Sequence, residues 1–98
     1  MTEHHSPDVV RNESASRYEY RVDGDVVGYI DYVIAGDATD LVHTEVAEEM
    51  RGTAVARTLA KETLADLAKR DATVVPSCPY LARYLRRCED CAVKVRWP

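Results

Sequence analysis

The chain has 98 residues, 46% of them hydrophobic and 31% charged, a composition that suits one compact domain and excludes both a multidomain array and a disordered polar chain. Its net charge of −4 argues against direct nucleic-acid binding, which needs a Lys/Arg surplus to displace counterions from phosphates. The charge is also split, because residues 1–50 carry three Lys/Arg against twelve Asp/Glu whereas residues 51–98 carry ten against five.

Residues 1–16, with His4, His5, Pro7, Asn12, Ser14 and Ser16, read as a polar, partly mobile lead-in. Period-two alternation then sets in over Arg17–Val22, with Tyr18, Tyr20 and Val22 on one face, and Asp23-Gly24-Asp25 supplies a hairpin turn. A second strand is predicted over 26–35, a turn at Gly36-Asp37-Ala38, and a third strand over 39–46. Strict alternation there puts Leu41, His43 and Glu45 on one side and Val42, Thr44 and Val46 on the other. The period changes to about 3.6 over 51–70, where Val55, Ala56, Leu59, Ala60, Thr63, Leu64 and Leu67 share one face of a long helix. A short strand over 72–75 stops at Pro76, a second helix spans Pro79–Arg87, and 93–97 alternates as a last strand. The order predicts an α+β fold with a mixed sheet in one domain over 17–98, since strand, long helix, strand is the crossover that parallel pairing requires.

No apolar run reaches the roughly 18 to 20 residues of a membrane span, and Met1-Thr2-Glu3-His4-His5 lacks the basic start and apolar stretch of a signal peptide. A cytoplasmic protein without a membrane partner is therefore expected. Cys78, Cys88 and Cys91 are odd in number, so in a reducing compartment no disulfide framework is expected.

Residues 46–59 run from a strand end through a Gly-containing turn into the long helix. The first N–H groups of a helix lack intrahelical acceptors and carry the positive end of the macrodipole, which suits a phosphate or pyrophosphate. Gly52, Ala54 and Ala56 allow close approach, and Arg51, Arg57 and Lys61 add positive charge. The same residues also fit an ordinary strand-to-helix turn whose small side chains permit tight packing.

Arg51-Gly52-Thr53-Ala54-Val55-Ala56 resembles the Arg/Gln-x-x-Gly-x-Gly/Ala pyrophosphate loop of the GNAT N-acetyltransferase superfamily, with Ala54 where Gly is usual. Leu41-Val42-His43-Thr44-Glu45-Val46 and Val75-Pro76-Ser77-Cys78-Pro79-Tyr80 resemble its small single-domain subfamily. The resemblance covers roughly residues 17–87 in order and spacing; the tail Arg87-Cys88-Glu89-Asp90-Cys91 departs from the subfamily ending.

The resemblance implies a GNAT-like sheet and transfer of an acetyl group from acetyl-CoA to an amine. It implies that the backbone of Thr44 and Val46 receives the pantetheine arm, with Arg51, Gly52, Thr53, Ala54, Val55, Ala56 and Arg57 around the pyrophosphate. An attacking amine must lose a proton and a departing thiolate benefits from an acid. His43 or Glu45 is the expected base, and His43 fits better because imidazole exchanges protons near neutral pH. His43 is alternatively a hydrogen-bonded sheet residue. Cys78, at a strand-to-helix junction, is a candidate for an acetyl-thioester activated by His43, or lines the acyl pocket, or is a small buried apolar residue. Tyr84 resembles the helical tyrosine that protonates the CoA sulfur in this superfamily, though Tyr80, Leu81, Tyr84 and Leu85 also form an apolar stripe.

The short chain has little material to roof an amine pocket, so an open site is expected, and the acidic half favours a cationic amine such as a lysine or N-terminus of a protein. A non-catalytic acyl-CoA-binding or partner-binding module is the alternative, favoured by Ala54 and the missing roof. A third reading is a zinc-stabilised domain using Cys78, Cys88, Cys91 and His43. Cys88 and Cys91 otherwise read as surface thiols or a redox pair.

Overall fold

The computed structural model describes residues 8–89 and 91–98, so His4 and His5 lie outside the described residues. Six strands lie in sequence order in one sheet: β1 (Asp8–Asn12), β2 (Arg17–Val22), β3 (Asp25–Ala35), β4 (Ala38–Val46), β5 (Thr73–Pro76) and β6 (Lys94–Val95). The first four are antiparallel, and β4–β5 and β5–β6 are parallel. Each parallel join needs a crossover, supplied first by α1 (Val55–Lys69) and then by α2 (Pro79–Arg87). The two helices lie side by side over one face. Their apolar stripes, with Leu59, Leu64 and Leu67 from α1 and Leu81 and Leu85 from α2, close on Tyr18, Ile30, Tyr32 and Leu41 of the sheet. Gly28 lets α1 approach, because a Cβ there would meet the Glu45 carbonyl and Val55 Cγ1, both at 3.3 Å. Among the described residues no helix is long and apolar enough to cross a membrane.

Three particulars differ from the sequence-based expectation. Residues 8–16 are not all a mobile lead-in. Asp8–Asn12 pairs with β2 as an edge strand, and Glu13–Ala15 makes a 3-10 turn capped by Asn12. The long helix starts at Val55 rather than at 51, because Gly52 takes φ +83 after a 3-10 turn over Glu48–Met50. The phase of β4 also changes along its length. Asp31 pairs with His43 but Tyr32 with Leu41, leaving Val42 as an extra residue. This bulge puts Leu41 and Thr44 on the helix-covered face and His43 and Glu45 on the opposite face, so strict alternation mispaired Leu41 with the latter two.

The opposite face carries, in register across three strands, Arg17, Asp31 and His43 in one row and Glu19, Tyr29 and Glu45 in the next. Among the described residues no element covers it. On the helix side, a part-buried polar knot ties β1 and β2 to α1. Arg11 Nη1 donates to the Tyr18 hydroxyl at 2.8 Å, which donates to Asp66 Oδ2 at 2.6 Å, and Arg70 Nε reaches the same oxygen at 2.7 Å.

Candidate active site at the splayed strands

β5 pairs with β4 only from Ala38 to Leu41. The Cys78 N–H then donates to the Leu41 carbonyl at 2.8 Å, and the chain turns away into α2. Beyond that point β4 has no strand on its β5 side among the described residues. The Ala47 N–H donates to Val27 O at 2.8 Å, and an antiparallel ladder repeats that phase every second residue. His43 and Glu45 therefore turn their backbone groups to β3, whereas Thr44 and Val46 turn theirs into the gap. The gap can accept an extended, amide-bearing ligand as if it were a short added strand.

The loop after β4 leads from this gap to the N-terminus of α1. The Thr53 hydroxyl donates to the Met50 carbonyl and accepts from the Val55 N–H at 3.3 Å, which fixes the turn. Ala54 caps the helix without a side-chain bond, and the N–H groups of Ala56 and Arg57 have no acceptor among the described residues. Beside them a groove of about 390 Å³ runs between the helices, lined by Arg57, Tyr80, Arg83, Tyr84, Arg87 and Cys88. Free N–H groups, the positive helix end and three arginines suit a polyanion such as a pyrophosphate.

Cys78 caps α2, is 5% exposed and lies with Sγ 3.3 Å from Thr44 Oγ1. Tyr84 is half-buried beside the groove, and its hydroxyl has no partner among the described residues. Its neighbour Tyr80 has its phenol pKa raised, chiefly by burial and then by Tyr84, with Arg57 partly offsetting. On the open face, His43 Nε2 and Glu45 Oε1 are 3.1 Å apart with side chains 53% and 45% exposed. The Tyr29 ring centroid lies 6.3 Å from that of His43. Arg51 does not stand alone at the loop, since its guanidinium reaches Glu45 Oε2 at 3.6 Å.

The structure thus gathers the predicted residues into two groups on opposite sides of the sheet. Thr44, Val46, the 52–57 turn, Cys78 and Tyr84 lie at the gap and the groove, while His43, Glu45 and Arg51 face the open side. The expected use of His43 to activate Cys78 fails for this reason: side chains on opposite faces of a strand do not meet. The cysteine expectation is corrected as well. Cys88 and Cys91 form a disulfide, which their Cα separation of 5.7 Å permits. Both sulfurs are thereby withdrawn from the proposed zinc set, and the described residues contain no group of three metal-ligating side chains. The count of three cysteines misled because pairing depends on the turn after α2. Sequence reasoning also missed Tyr80, Arg83 and Arg87. Their signal was present as two four-residue spacings on α2, Tyr80 with Tyr84 and Arg83 with Arg87, but only the packing of α2 beside the N-terminus of α1 makes them one groove.

A mixed sheet that opens between β4 and β5, with an uncapped helix N-terminus at its mouth, defines the GNAT class of α+β fold. Residues 17–93 match the model of the GCN5-related N-acetyl-transferase family, and the chain belongs to that family. Among solved structures it is similar to the ribosomal-protein-alanine N-acetyltransferase from Brucella melitensis biovar Abortus 2308. The two are 27% identical with a TM-score of 0.53, over 84% of this chain and 64% of that one. This chain therefore spans 64% of the length of that protein. Comparison with curated proteins finds no match.

Proposed function

We propose that the protein transfers an acetyl group from acetyl-CoA to an amine, and that the amine belongs to a protein or peptide. The observation that carries this reading is the gap itself: unpaired backbone groups of Thr44 and Val46 lead directly to the free N–H groups of Ala56 and Arg57. Such a path suits an extended donor with amides along one part and a pyrophosphate at the other. Arg57, Arg83 and Arg87 supply charge for its phosphates. The acceptor amine enters from the open face, where the His43–Glu45 pair takes its proton. The Tyr84 hydroxyl, on the donor side and with no partner among the described residues, supplies a proton to the departing sulfur. Cys78 borders the acyl group, and transfer is direct, because the base stands on the other face of the sheet. A sheet face that no described element covers favours a large acceptor, and the protein acceptor named for the Brucella enzyme supports the same choice.

Incubation with acetyl-CoA and an amine-bearing peptide tests this. Stoichiometric CoA release with an acetylated peptide is expected. Binding of CoA without peptide-dependent release would leave a binding module instead.

A further inference from the structure

Glu19 lies on the open face yet is only 2% exposed, because four hydrogen bonds enclose its carboxylate. Arg17 Nε at 2.7 Å and Asn12 Nδ2 at 3.1 Å take one oxygen, and Arg21 takes the other with Nη2 at 2.6 Å and Nε at 3.0 Å. Two arginines hold one glutamate, and the nearby Asp31 carboxylate adds to the field that raises the Arg17 pKa. Arg17 spends only Nε on this bond. Its two terminal nitrogens have no acceptor among the described residues, and its register partner Asp31 makes no ion pair with it. The guanidinium lies 4.5 Å from the centre of the Tyr29 ring. A stacked face and a bonded Nε fix the plane of the group, so the free fork is presented at low entropic cost.

Arg17 also lines a cavity of about 450 Å³, together with Tyr29, Glu45, Val46, Glu48 and Arg51. One wall is the Glu45 carboxylate beside His43, and the opposite wall is Arg17. They stand on β4 and β2 in adjacent rows, two strand spacings across and two residues along, or roughly 12 Å apart at the backbone. An extended peptide advances about 3.3 to 3.6 Å per residue. An amine at Glu45 therefore places a side-chain carboxylate one or two residues further along within reach of Arg17.

We infer that Arg17 is a specificity-determining residue of the acceptor site and that it receives a carboxylate one or two residues from the acetylated amine, so the site selects amines in acidic peptide sequences. The inference rests on the amine-acetylation reading above.

Three peptides that differ only at the two positions after the amine, acidic, neutral or basic, test it with the wild-type protein and acetyl-CoA. The expected kcat/KM is about tenfold higher for the acidic than for the basic peptide, about 1.4 kcal/mol of discrimination, and the difference appears in KM. In Arg17→Gln the acidic-to-basic ratio should fall to within twofold; the ratio is the readout, because a merely structural loss lowers all three peptides together. Arg17→Lys is the second variant. It keeps the charge but not the fork, and should retain less than a third of the preference. Equal rates for the three peptides in the wild type, or a preference that survives in either variant, would overturn the assignment while leaving acetyl transfer intact. Acetylation of none of them would overturn the functional reading itself, and the Arg17 assignment with it.

Discussion

Replacing Tyr18 with Phe removes one oxygen from the knot that fastens α1 to the β1–β2 hairpin. The ring, 1% exposed, is retained, so no cavity larger than the lost hydroxyl opens. Two hydrogen bonds to charged groups are lost, one donated to Asp66 at 2.6 Å and one accepted from Arg11 at 2.8 Å. Hydrogen bonds to charged groups contribute about 1.5–3 kcal/mol each, and the surviving Arg70 contact to Asp66 offsets part of the loss, so a net cost of about 2 kcal/mol follows. For a domain near 100 residues that lowers Tm by roughly 8–16 °C, and the urea midpoint should fall with an unchanged slope. The pH dependence is a sharper check. Burial opposes ionisation of Asp66, but the bonds from Tyr18 and Arg70 outweigh it and hold the carboxyl below its usual 3.8. Its contribution is present above that value and is lost as pH falls through the folded pKa. The Tyr18 phenol is raised above its usual 10, first by burial and then by Asp66, so its contribution is complete below pH 10 and disappears as pH rises beyond. The gap between wild type and Tyr18→Phe should therefore be widest between these limits and narrow at both ends. A gap under about 0.5 kcal/mol at pH 7, or one that does not vary with pH, would refute the reasoning.

Further outcomes follow from the separation of the two faces. Glu45→Gln and His43→Ala should each lower kcat about 100-fold while leaving the Kd for CoA within twofold by calorimetry; a matching loss of CoA affinity would place these residues at the donor instead. Cys78→Ala should keep at least a third of wild-type turnover, and mass spectrometry of the wild type with acetyl-CoA alone should find no acetyl on Cys78. Abolished turnover together with acetyl-Cys78 would restore the covalent route. Reduction of Cys88–Cys91 closes no long loop, so by chain entropy it should cost at most about 2 kcal/mol in urea denaturation; a larger loss would mean that the turn organises more than itself.

The helices were legible because both carry strong 3.6-residue stripes, and α2 also has Pro79 in its first turn. The antiparallel hairpins were legible from alternation and from glycine turns. β1 was not, since Asp8–Asn12 is a half-exposed edge strand whose burial does not alternate. The bulge at Val42 leaves no mark in composition, yet it decides which side of the sheet each of Leu41, His43 and Glu45 serves. Ala56 and Arg57 came from the resemblance and not from the helix start, which periodicity placed at 51, four residues before Val55. The partition of His43 from Cys78, and the meeting of Arg17 with Tyr29 and Glu45, depend on register between distant segments, which no local pattern records.

Acetyl transfer from CoA as proposed requires the gap beside β4 and the start of α1 to form one continuous donor site. Titration of CoA into the 15N-labelled protein tests it most directly. Saturable amide shifts are expected at Thr44, Val46, Ala56 and Arg57, with the amides of His43 and Glu45, already paired to β3, moving less. Saturable shifts confined to the open-face residues, or no shifts at millimolar CoA, would contradict it.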